Sequence, residues 1–392
     1  MKIEDIDIDF KDKISTVDQK GKRKWVYAVQ PGGKFYNLRT ALSIVFLVLF
    51  FTLPFVRING LPFLQFNIPE ATFIIFGKVF LPQDFVMLGL IMVIALLFIV
   101  VFTLLFGRVF CGWVCPQTIF LEMVFRRIEY WIEGSAAKQQ KADNGPWTRE
   151  MYIRKAIKHI LYFIISFIFS NMFLAYIIGT DNLLALIKEP LSENLGSFLA
   201  IVLFTGVFYI VFAYVREIVC TVICPYGRLQ SVLLNKKSIV VAYDYNRGEP
   251  RKRYAKIQEP EVGDCIDCGL CVHVCHTGID IRNGTQLECV HCTSCIDACN
   301  AVMAKIKRPL NLIRYTSEHA LETNEPVMPK ARIWGYSLVL IALSVLFLSL
   351  ISNNTIFNTT VLRSKGQILQ EVGTDTISNL YNIKITNKHT KT

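Results

Sequence analysis

The chain has 392 residues and a formal net charge of +11; 53% of its residues are hydrophobic and only 19% are charged. Soluble domains carry about a quarter charged residues. Here the apolar residues also gather into long runs, which excludes a disordered chain and argues against an ordinary soluble enzyme. The positive net charge could indicate a protein that binds nucleic acid. However, the Lys and Arg residues cluster beside the apolar runs, which is typical of membrane proteins.

Five stretches are long and apolar enough to cross a bilayer, which requires about 20 residues. The first 35 residues are highly charged and contain no apolar core of signal-peptide length, so we expect no cleaved signal. The sequence therefore predicts a mainly α-helical membrane protein with five transmembrane helices. They cover residues 41–56, 84–106, 156–178, 197–215 and 333–352.

The distribution of basic residues predicts the orientation of these spans. Residues 1–40 and the 107–158 connection carry nine Lys or Arg each, whereas the 57–83 connection carries two and the 179–196 connection carries one. Cytoplasmic loops are enriched in Lys and Arg. We therefore expect the N-terminus, the 107–158 connection and the long 216–332 segment in the cytoplasm, and the C-terminal tail in the periplasm.

Two further segments have recognisable patterns. Over residues 120–133, apolar and charged residues alternate at near-helical spacing, which predicts an amphipathic helix that lies either in the membrane interface or against the protein itself. In the tail, residues 360–363 and 381–385 are predicted strands, and these are too few to form a stable domain alone.

Eight of the twelve cysteines form two copies of the spacing Cys-x2-Cys-x2-Cys-x3-Cys. This double run is typical of a bacterial-type ferredoxin domain with two [4Fe–4S] clusters, in which the fourth cysteine of each run ligates the cluster of the other run. The spacing therefore predicts two sets of cofactor-binding residues: Cys265, Cys268, Cys271 and Cys299 for one cluster, and Cys289, Cys292, Cys295 and Cys275 for the other.

A pair of structural zinc sites is the alternative, but zinc modules normally use two CxxC knuckles with a longer spacer. The proline that usually follows the fourth cysteine is replaced by His276 in the first run and by Asn300 in the second, which removes no ligand. Between the runs, residues 279–288 are predicted to form a hairpin around an Asn283-Gly284 turn.

The remaining four cysteines belong to a duplicated Cys-x3-Cys-Pro unit that follows the second and the fourth predicted span. Residues i and i+4 share one face of a helix, so each pair can offer two sulfurs to one centre. Soft thiolates suit Cu(I) or an iron–sulfur centre. The alternative is inert buried cysteines, with prolines that stop or kink the helices. The candidate catalytic and metal-binding residues are thus Cys111, Cys115, Cys220 and Cys224.

All twelve cysteines fall into motif-spaced sets with none left over. This usage favours metal ligation or redox chemistry in a reducing compartment over a disulfide framework. No glycine-rich dinucleotide fingerprint or Walker loop is evident in the sequence, so no built-in nicotinamide or ATP site is predicted.

The order of these features resembles the cytochrome c oxidase accessory protein family CcoG, also called FixG or RdxA. The resemblance rests on both Cys-x3-Cys-Pro units with their flanks (107–118 and 216–228), on the two ferredoxin runs, and on residues 25–27 and 33–35. Membrane polyferredoxins of the nitrate-reductase electron-supply class, such as NapH, share the paired motifs and are the nearest alternative family.

The resemblance implies a bacterial cytoplasmic-membrane protein that is needed for assembly of the cbb3-type cytochrome oxidase. It also implies that this protein reduces Cu(II) to Cu(I) before copper is inserted into the oxidase. It implies oxidase-assembly or copper-delivery proteins and an unidentified electron donor as partners, and no nucleic acid. Family members also carry an immunoglobulin-like C-terminal domain. Such a domain takes about 100 residues, whereas about 40 follow the last predicted span.

These patterns divide the chain into five expected parts. They are a cytoplasmic N-terminal segment (1–35), a four-helix membrane region with both paired motifs (36–232), a cytoplasmic ferredoxin-like domain (233–332), the fifth transmembrane helix (333–352) and a partial immunoglobulin-like segment (353–392). The mechanism we expect passes electrons from the clusters to the four paired cysteines, where Cu(II) is reduced. A quinol-linked electron carrier and a non-enzymatic assembly scaffold are the alternatives.

Overall fold

A computed structural model gives the architecture of most of the chain, which is mainly helical with short strands. Most of the first 22 residues, where we expect no cleaved signal peptide, lie outside the described residues. The described residues are 16, 23–58, 60–68, 70–81, 84–188, 195–252, 262–324, 331–352, 357–363, 370–371, 377–378 and 380–387.

Five helices are long and apolar enough to cross a membrane, as predicted. We refer to them as the first to fifth spans. A π-helical turn, Val211–Val215, continues the fourth span. The helical bounds are Lys34–Thr52, Phe85–Phe106, Arg149–Ile178, Leu195–Ile210 and Ala331–Ser352.

The first and third spans begin earlier than their apolar runs do, at Lys34 and Arg149. Polar side chains bind the first N–H groups of both helices and so let them extend beyond the apolar stretch. The Asp297 carboxylate accepts hydrogen bonds from the backbone of the first span, and the Thr148 hydroxyl accepts one from Met151 N–H in the third span.

Aromatic packing joins the spans to the connection that follows the second of them. Phe125 stacks on Phe212 with ring centroids 4.7 Å apart, and Phe120 lies 4.3 Å from Phe169. Phe120 and Phe125 belong to a π-helix, Phe120–Phe125, that runs into the helix Arg126–Glu133. Since these side chains are buried among the spans, the amphipathic segment docks against the protein itself.

A small set of strands that the sequence analysis missed lies between the first and second spans. Its three-stranded antiparallel sheet pairs Phe66 with Phe73 and Phe73 with Phe80, and it contacts the third span. Each strand is too short for an alternating pattern to emerge from the sequence. The strands are Arg57–Ile58, Leu61–Pro62, Leu64–Asn67, Thr72–Ile75 and Lys78–Phe80.

The ferredoxin runs lie between two antiparallel strands, Val240–Tyr243 and Ile313–Thr316. The hairpin predicted between the runs is wrong: its first half contains a 3-10 turn, Ile281–Asn283, and no strand is found over 262–312. The Asp280 carboxylate accepts hydrogen bonds from Arg282 N–H and from the Arg282 guanidinium, which folds the chain locally and opposes strand pairing.

The predicted strands of the tail pair with each other. The strand Phe357–Arg363 runs antiparallel to Tyr381–Asn387, with Val361 opposite Ile383. The remaining short elements are the helices and turns Leu53–Phe55, Val109–Trp113, Pro116–Ile119, Ala136–Asn144, Thr180–Lys188, Val219–Ile223, Pro225–Leu233, Tyr245–Gly248, Leu270–His273, Ser294–Lys305 and Glu318–Thr323, and the strands Gln370–Glu371 and Ile377–Ser378.

Candidate functional site

The eight cysteines of the ferredoxin runs surround two cavities. We call them the outer and the inner cavity, and Cys271 contributes to the walls of both. The fourth cysteine of each run lines the cavity of the other run, which is the crossed arrangement that the spacing predicts. The outer cavity is lined by Cys265, Cys268, Cys271 and Cys299, and the inner cavity by Cys275, Cys289, Cys292 and Cys295.

The chemistry of both cavities fits a polynuclear iron–sulfur centre. Among the described residues, no group of three or more His, Cys, Asp or Glu is placed to hold a single metal ion, either in these cavities or among Cys111, Cys115, Cys220 and Cys224. A structural zinc site needs four ligands about 2.3 Å from one ion, whereas these thiols stand around a larger apolar space. Burial raises the pKa of Cys289 and Cys299 to about 12, so a bound cation is needed to keep them as thiolates at neutral pH.

The two cavities differ in their distance from solvent. Cys268 of the outer cavity is exposed, whereas Cys289 and Cys292 of the inner cavity are buried. The inner cavity also contains His276, the residue that stands where proline is usual, and this side chain is buried. Because burial and hydrogen bonding to sulfur set cluster potentials, centres in the two cavities would have different potentials.

The first span fixes the inner cavity to the membrane region. Arg39 donates hydrogen bonds to the Cys292 carbonyl at 3.1 Å and to Ser294 Oγ at 3.3 Å. Asp297 accepts hydrogen bonds from the N–H groups of Phe35 at 3.2 Å and Tyr36 at 2.7 Å. The ferredoxin domain therefore binds the N-terminal end of the first span through the residues that follow Cys292.

Replacing Asp297 with alanine is expected to loosen this attachment. Loss of a helix-capping side chain costs about 0.5–2 kcal/mol, and the N–H groups of Phe35 and Tyr36 would lose their acceptor. Hydrogen exchange at these two amides should accelerate in the variant. The exposed Asp181→Ala variant is the control, and equal exchange rates in the two variants would contradict the proposed cap.

Each Cys-x3-Cys-Pro unit spans a break between helices, so the prediction that its cysteines share one helix face is wrong. Cys111 and Cys220 lie in the helical segments Val109–Trp113 and Val219–Ile223. Cys115 and Cys224 have extended backbones, with ψ of 125° and 113°. Proline imposes this conformation on the preceding residue. Each proline also begins a new helix, which is a favoured position for it.

The fold nevertheless brings the four cysteines of the two units together. We call them the four-cysteine site. Burial raises the pKa of Cys111 to about 11 and that of Cys220 to about 12, and the nearby Cys115 thiol adds to both shifts. The Cys224 thiol likewise adds to the shifts at Cys111 and Cys115. Each of the four thiols thus acts on, or is acted on by, at least two of the others, and Cys220 packs against the buried cluster that contains Cys111.

A buried glutamine that the sequence analysis missed orients the first thiol of the site. The Cys111 thiol donates a hydrogen bond to Gln230 Oε1 at 3.0 Å, and Gln230 Nε2 donates to Thr103 Oγ1 at 3.1 Å. Gln230 is fully buried. In the sequence, only the position of Gln230 could have indicated this role: it lies six residues after Cys224, on the helix that Pro225 begins.

The arginines that precede the two units have different roles. Arg108 donates to the carbonyls of Leu287 in the ferredoxin domain and of Cys220 in the four-cysteine site. Arg216 instead takes the place that Gly107 holds in the first copy, since both end a span with a φ between 50° and 60°. Such a backbone is strained for a residue with a side chain.

A buried ionic network compensates for the strain at Arg216. The Arg216 guanidinium donates two hydrogen bonds to Glu129, at 3.0 and 2.9 Å, contacts Glu217 at 3.4 Å and lies 4.8 Å from the Trp25 ring. Burial is the largest influence on the pKa of Glu129 and acts to raise it, but Arg216, Lys158 and Arg126 together outweigh burial and lower this pKa to about 2. Further ion pairs, Arg126–Glu122 and Arg126–Glu217, extend the network.

His159, in the third span, contacts two tyrosines that follow along the chain in and after the fourth span. Its Nδ1 lies 2.8 Å from Tyr209 Oη, and its ring stacks on that of Tyr214 at 5.9 Å. These contacts join the third and fourth spans, which is consistent with an anchoring histidine.

Comparison with protein families identifies iron–sulfur domains in both parts of the site. A family described as "4Fe-4S dicluster domain" matches residues 215–318, which contain all eight ferredoxin cysteines as well as Cys220 and Cys224. A second family, described as "4Fe-4S binding domain", matches residues 88–134, whose only cysteines are Cys111 and Cys115.

Several curated proteins are similar to most of the chain. "Nitrogen fixation protein FixG" of Rhizobium meliloti is 32% identical over 304 residues, which is 76% of this chain and 58% of FixG. Of two proteins from Cereibacter sphaeroides, RdxA is 32% identical over 78% of this chain and 66% of its own length, and RdxB is 31% identical over 75% and 63%. The chain thus spans 58–66% of the length of these relatives.

No solved structure matches the chain. The relatives, the 4Fe-4S domains and the five apolar helices agree with one another. The chain belongs to the FixG/CcoG family, with 4Fe-4S domains and five helices that are long and apolar enough to cross a membrane.

Proposed function

We propose that this protein reduces Cu(II) to Cu(I) at the four-cysteine site, with electrons that arrive through its ferredoxin domain, during assembly of a cbb3-type cytochrome oxidase. The ferredoxin domain and the N-terminus would lie in the cytoplasm of a bacterium and the C-terminus in the periplasm. The electrons would come from a cytoplasmic donor or a membrane quinol. Copper-delivery or oxidase-assembly proteins would be the partners.

The proposal assigns the eight ferredoxin cysteines as ligands of two [4Fe–4S] clusters. Cys265, Cys268, Cys271 and Cys299 would hold an outer cluster, and Cys275, Cys289, Cys292 and Cys295 an inner cluster. Clusters of this kind accept and donate single electrons. The exposed Cys268 makes the outer cavity the accessible side for a donor, whereas the inner cavity faces the spans.

One observation carries the proposal: Cys111 of the four-cysteine site belongs to one buried cluster with Val290 and Cys292 of the inner cavity, and Cys220 packs against that cluster. A residue proposed to ligate the inner cluster thus lies in the same packed cluster as two residues of the proposed exit site. This packing keeps donor and acceptor close, which supports electron transfer between the two sites.

The chemistry of the four-cysteine site supports copper as the acceptor. Reduction of Cu(II) needs one electron, and sulfur ligands favour the softer Cu(I) ion over Cu(II). The specific role in oxidase assembly rests on the resemblance to the CcoG family. Cu(II) is thus the substrate here, and the four-cysteine site is where it gains its electron.

The proposal is tested by changing the four cysteines of the site to serine together. Wild-type protein is reduced anaerobically, freed of reductant and mixed with Cu(II) in the presence of a Cu(I) chelator. We expect Cu(I) to form about tenfold or more slowly in the four-serine variant. Because free thiols also reduce Cu(II), cluster-free protein that retains the four cysteines is the control. Equal rates for the variant and the wild type would refute the copper site.

A second candidate function is favoured by the family match over residues 88–134. That match is to a 4Fe-4S binding domain, yet it contains only Cys111 and Cys115. With Cys220 and Cys224, these thiols could hold a third cluster in an electron carrier that reacts with quinone and not with copper. In that case the four-serine variant loses about a third of its iron, whereas under the copper proposal its iron content is unchanged.

A further inference from the structure

Gly112, inside the first Cys-x3-Cys-Pro unit, lies close against the backbone of the inner cavity. A Cβ atom at this position would lie 2.4 Å from the Val290 carbonyl oxygen and 2.9 Å from both the Cα and the N atom of Cys292. Carbon atoms in favourable contact are about 3.5–4.0 Å apart. All three obstructing atoms are backbone, so no change of rotamer could make room. Only glycine fits here.

Hydrogen bonds from several elements hold the opposite side of this contact in place. Arg39 donates to the Cys292 carbonyl at 3.1 Å, and Arg108 N–H donates to His291 Nδ1 at 3.0 Å. Tyr315 Oη donates to the His291 carbonyl at 3.2 Å and accepts from Trp113 Nε1 at the same distance. The segment around Cys292 is therefore fixed against the Cys111–Trp113 turn.

A second glycine repeats the close approach one turn earlier. A Cβ atom at Gly107 would lie 2.8 Å from the Ile239 carbonyl oxygen and 2.8 Å from His291 Cε1. At Gly112 the first Cys-x3-Cys-Pro unit thus lies on the second ferredoxin run with no side chain between the two backbones, whereas Gly107 makes room for the His291 ring. Cys111, Val290 and Cys292 belong to one buried cluster at this contact.

We propose that the contact between Gly112 and the Val290–Cys292 segment is the junction across which electrons leave the ferredoxin domain, and that Gly112 is the positioning residue that sets its width. The inference rests on the proposed function, because it assumes that the four-cysteine site is the exit. The cysteines of the inner cavity would hold the donor, and one electron lost from that donor would balance the reduction of one Cu(II) to Cu(I).

The test is the Gly112→Ala variant in the full-length protein, with Gly89→Ala as the matched control. Gly89 lies in the second span, and a Cβ atom there would meet no atom within 4 Å. Reduced protein is mixed with Cu(II), and cluster reoxidation is followed by stopped-flow absorbance. Since the rate of electron transfer falls steeply as donor and acceptor move apart, we expect severalfold slower reoxidation in Gly112→Ala and wild-type rates in Gly89→Ala.

Two measurements separate a changed junction from a damaged protein. Iron content and the EPR spectrum of the reduced clusters should match those of the wild type. Reoxidation by a soluble oxidant that reaches the exposed side of the outer cavity should also be unchanged. If Gly112→Ala does not load its clusters, Arg39→Lys is used instead, since it loosens the same contact without adding an atom to it, and it must show the slowing.

Wild-type reoxidation rates in the loaded variant would overturn the junction while leaving the copper proposal intact. Failure of Cu(II) to reoxidise the wild-type clusters would instead refute the proposed function. A water-soluble quinone then replaces Cu(II) as the acceptor. Equal quinone rates in Gly112→Ala and wild type would overturn the junction in that case, and slower rates in the variant would support it.

Discussion

Replacing Cys292 with alanine is expected to remove one cluster and to stop Cu(II) reduction, while the other cluster remains. Cys292 lines the inner cavity, accepts a hydrogen bond from Arg39 through its carbonyl and packs on Cys111. Loss of its sulfur removes one of four thiolate ligands, which alanine cannot replace. The iron content should fall by one cluster per chain, and the EPR spectrum of the reduced protein should change from two clusters to one.

The crossed ligand sets give this experiment its sharpest control. Cys275→Ala should remove the same EPR signal as Cys292→Ala, although the two residues belong to different runs. Cys299→Ala should remove the other signal, although Cys299 follows Cys292 in the same run. If Cys275→Ala instead abolishes the signal that is lost in Cys265→Ala, each run holds its own cluster and the assignment fails.

Replacing Arg216 with alanine is expected to cost about 3–5 kcal/mol of stability, because it removes the nearest cation from the buried Glu129 and Glu217 and leaves them only Lys158 and Arg126, each 3.7 Å away. Alanine also retains the strained φ of 53°. Arg216→Gly loses the same ion pairs but relaxes a backbone strain of about 1–3 kcal/mol. We therefore expect the glycine variant to be the more stable of the two, as measured by thermal unfolding in detergent.

The exposed pair Arg57–Asp181 provides the control for this prediction. Exposed ion pairs contribute about 0–1 kcal/mol, so Arg57→Ala should unfold near the wild-type temperature. An equal fall in unfolding temperature in Arg57→Ala and Arg216→Ala would contradict a structural role for the buried network. A glycine variant less stable than the alanine variant would contradict the strain at Arg216.

The same network predicts how stability depends on pH. The pKa of Glu129 is lowered from 4.5 to about 2, because Arg216, with Lys158 and Arg126, outweighs the large opposing effect of burial. A carboxylate with a lowered folded-state pKa stabilises the protein above its unfolded pKa. The contribution should be complete above pH 4.5 and should disappear as the pH falls towards 2. In the Glu129→Gln variant this part of the acid destabilisation should be absent.

Apolar runs and cysteine spacing were sufficient to predict the five spans and the crossed cavity lining, because both depend on local sequence patterns. The break within each Cys-x3-Cys-Pro unit was missed, although proline restricts the residues Cys115 and Cys224 that precede it. The role of Gly112 could not be predicted, because it depends on a backbone nearly 180 residues away in sequence. The same holds for Gln230, a polar residue whose partners lie on other elements.

The two arginines beside the duplicated units have roles that the sequence alone does not distinguish. Arg108 and Arg216 look alike in sequence, but Arg108 contacts the ferredoxin domain and Arg216 contacts a buried carboxylate. The difference arises because Arg216 occupies the positive-φ position that Gly107 holds in the first copy. Only the tertiary contacts of each copy distinguish these roles.

The most direct test of electron transfer to copper is an anaerobic titration of the fully reduced wild-type protein with Cu(II). Cluster absorbance and chelated Cu(I) are recorded on the same sample. We predict that one Cu(I) appears for each electron that the clusters lose, until they are fully oxidised. Clusters that remain reduced in excess Cu(II), yet are reoxidised by quinone, would contradict copper reduction and favour the electron carrier.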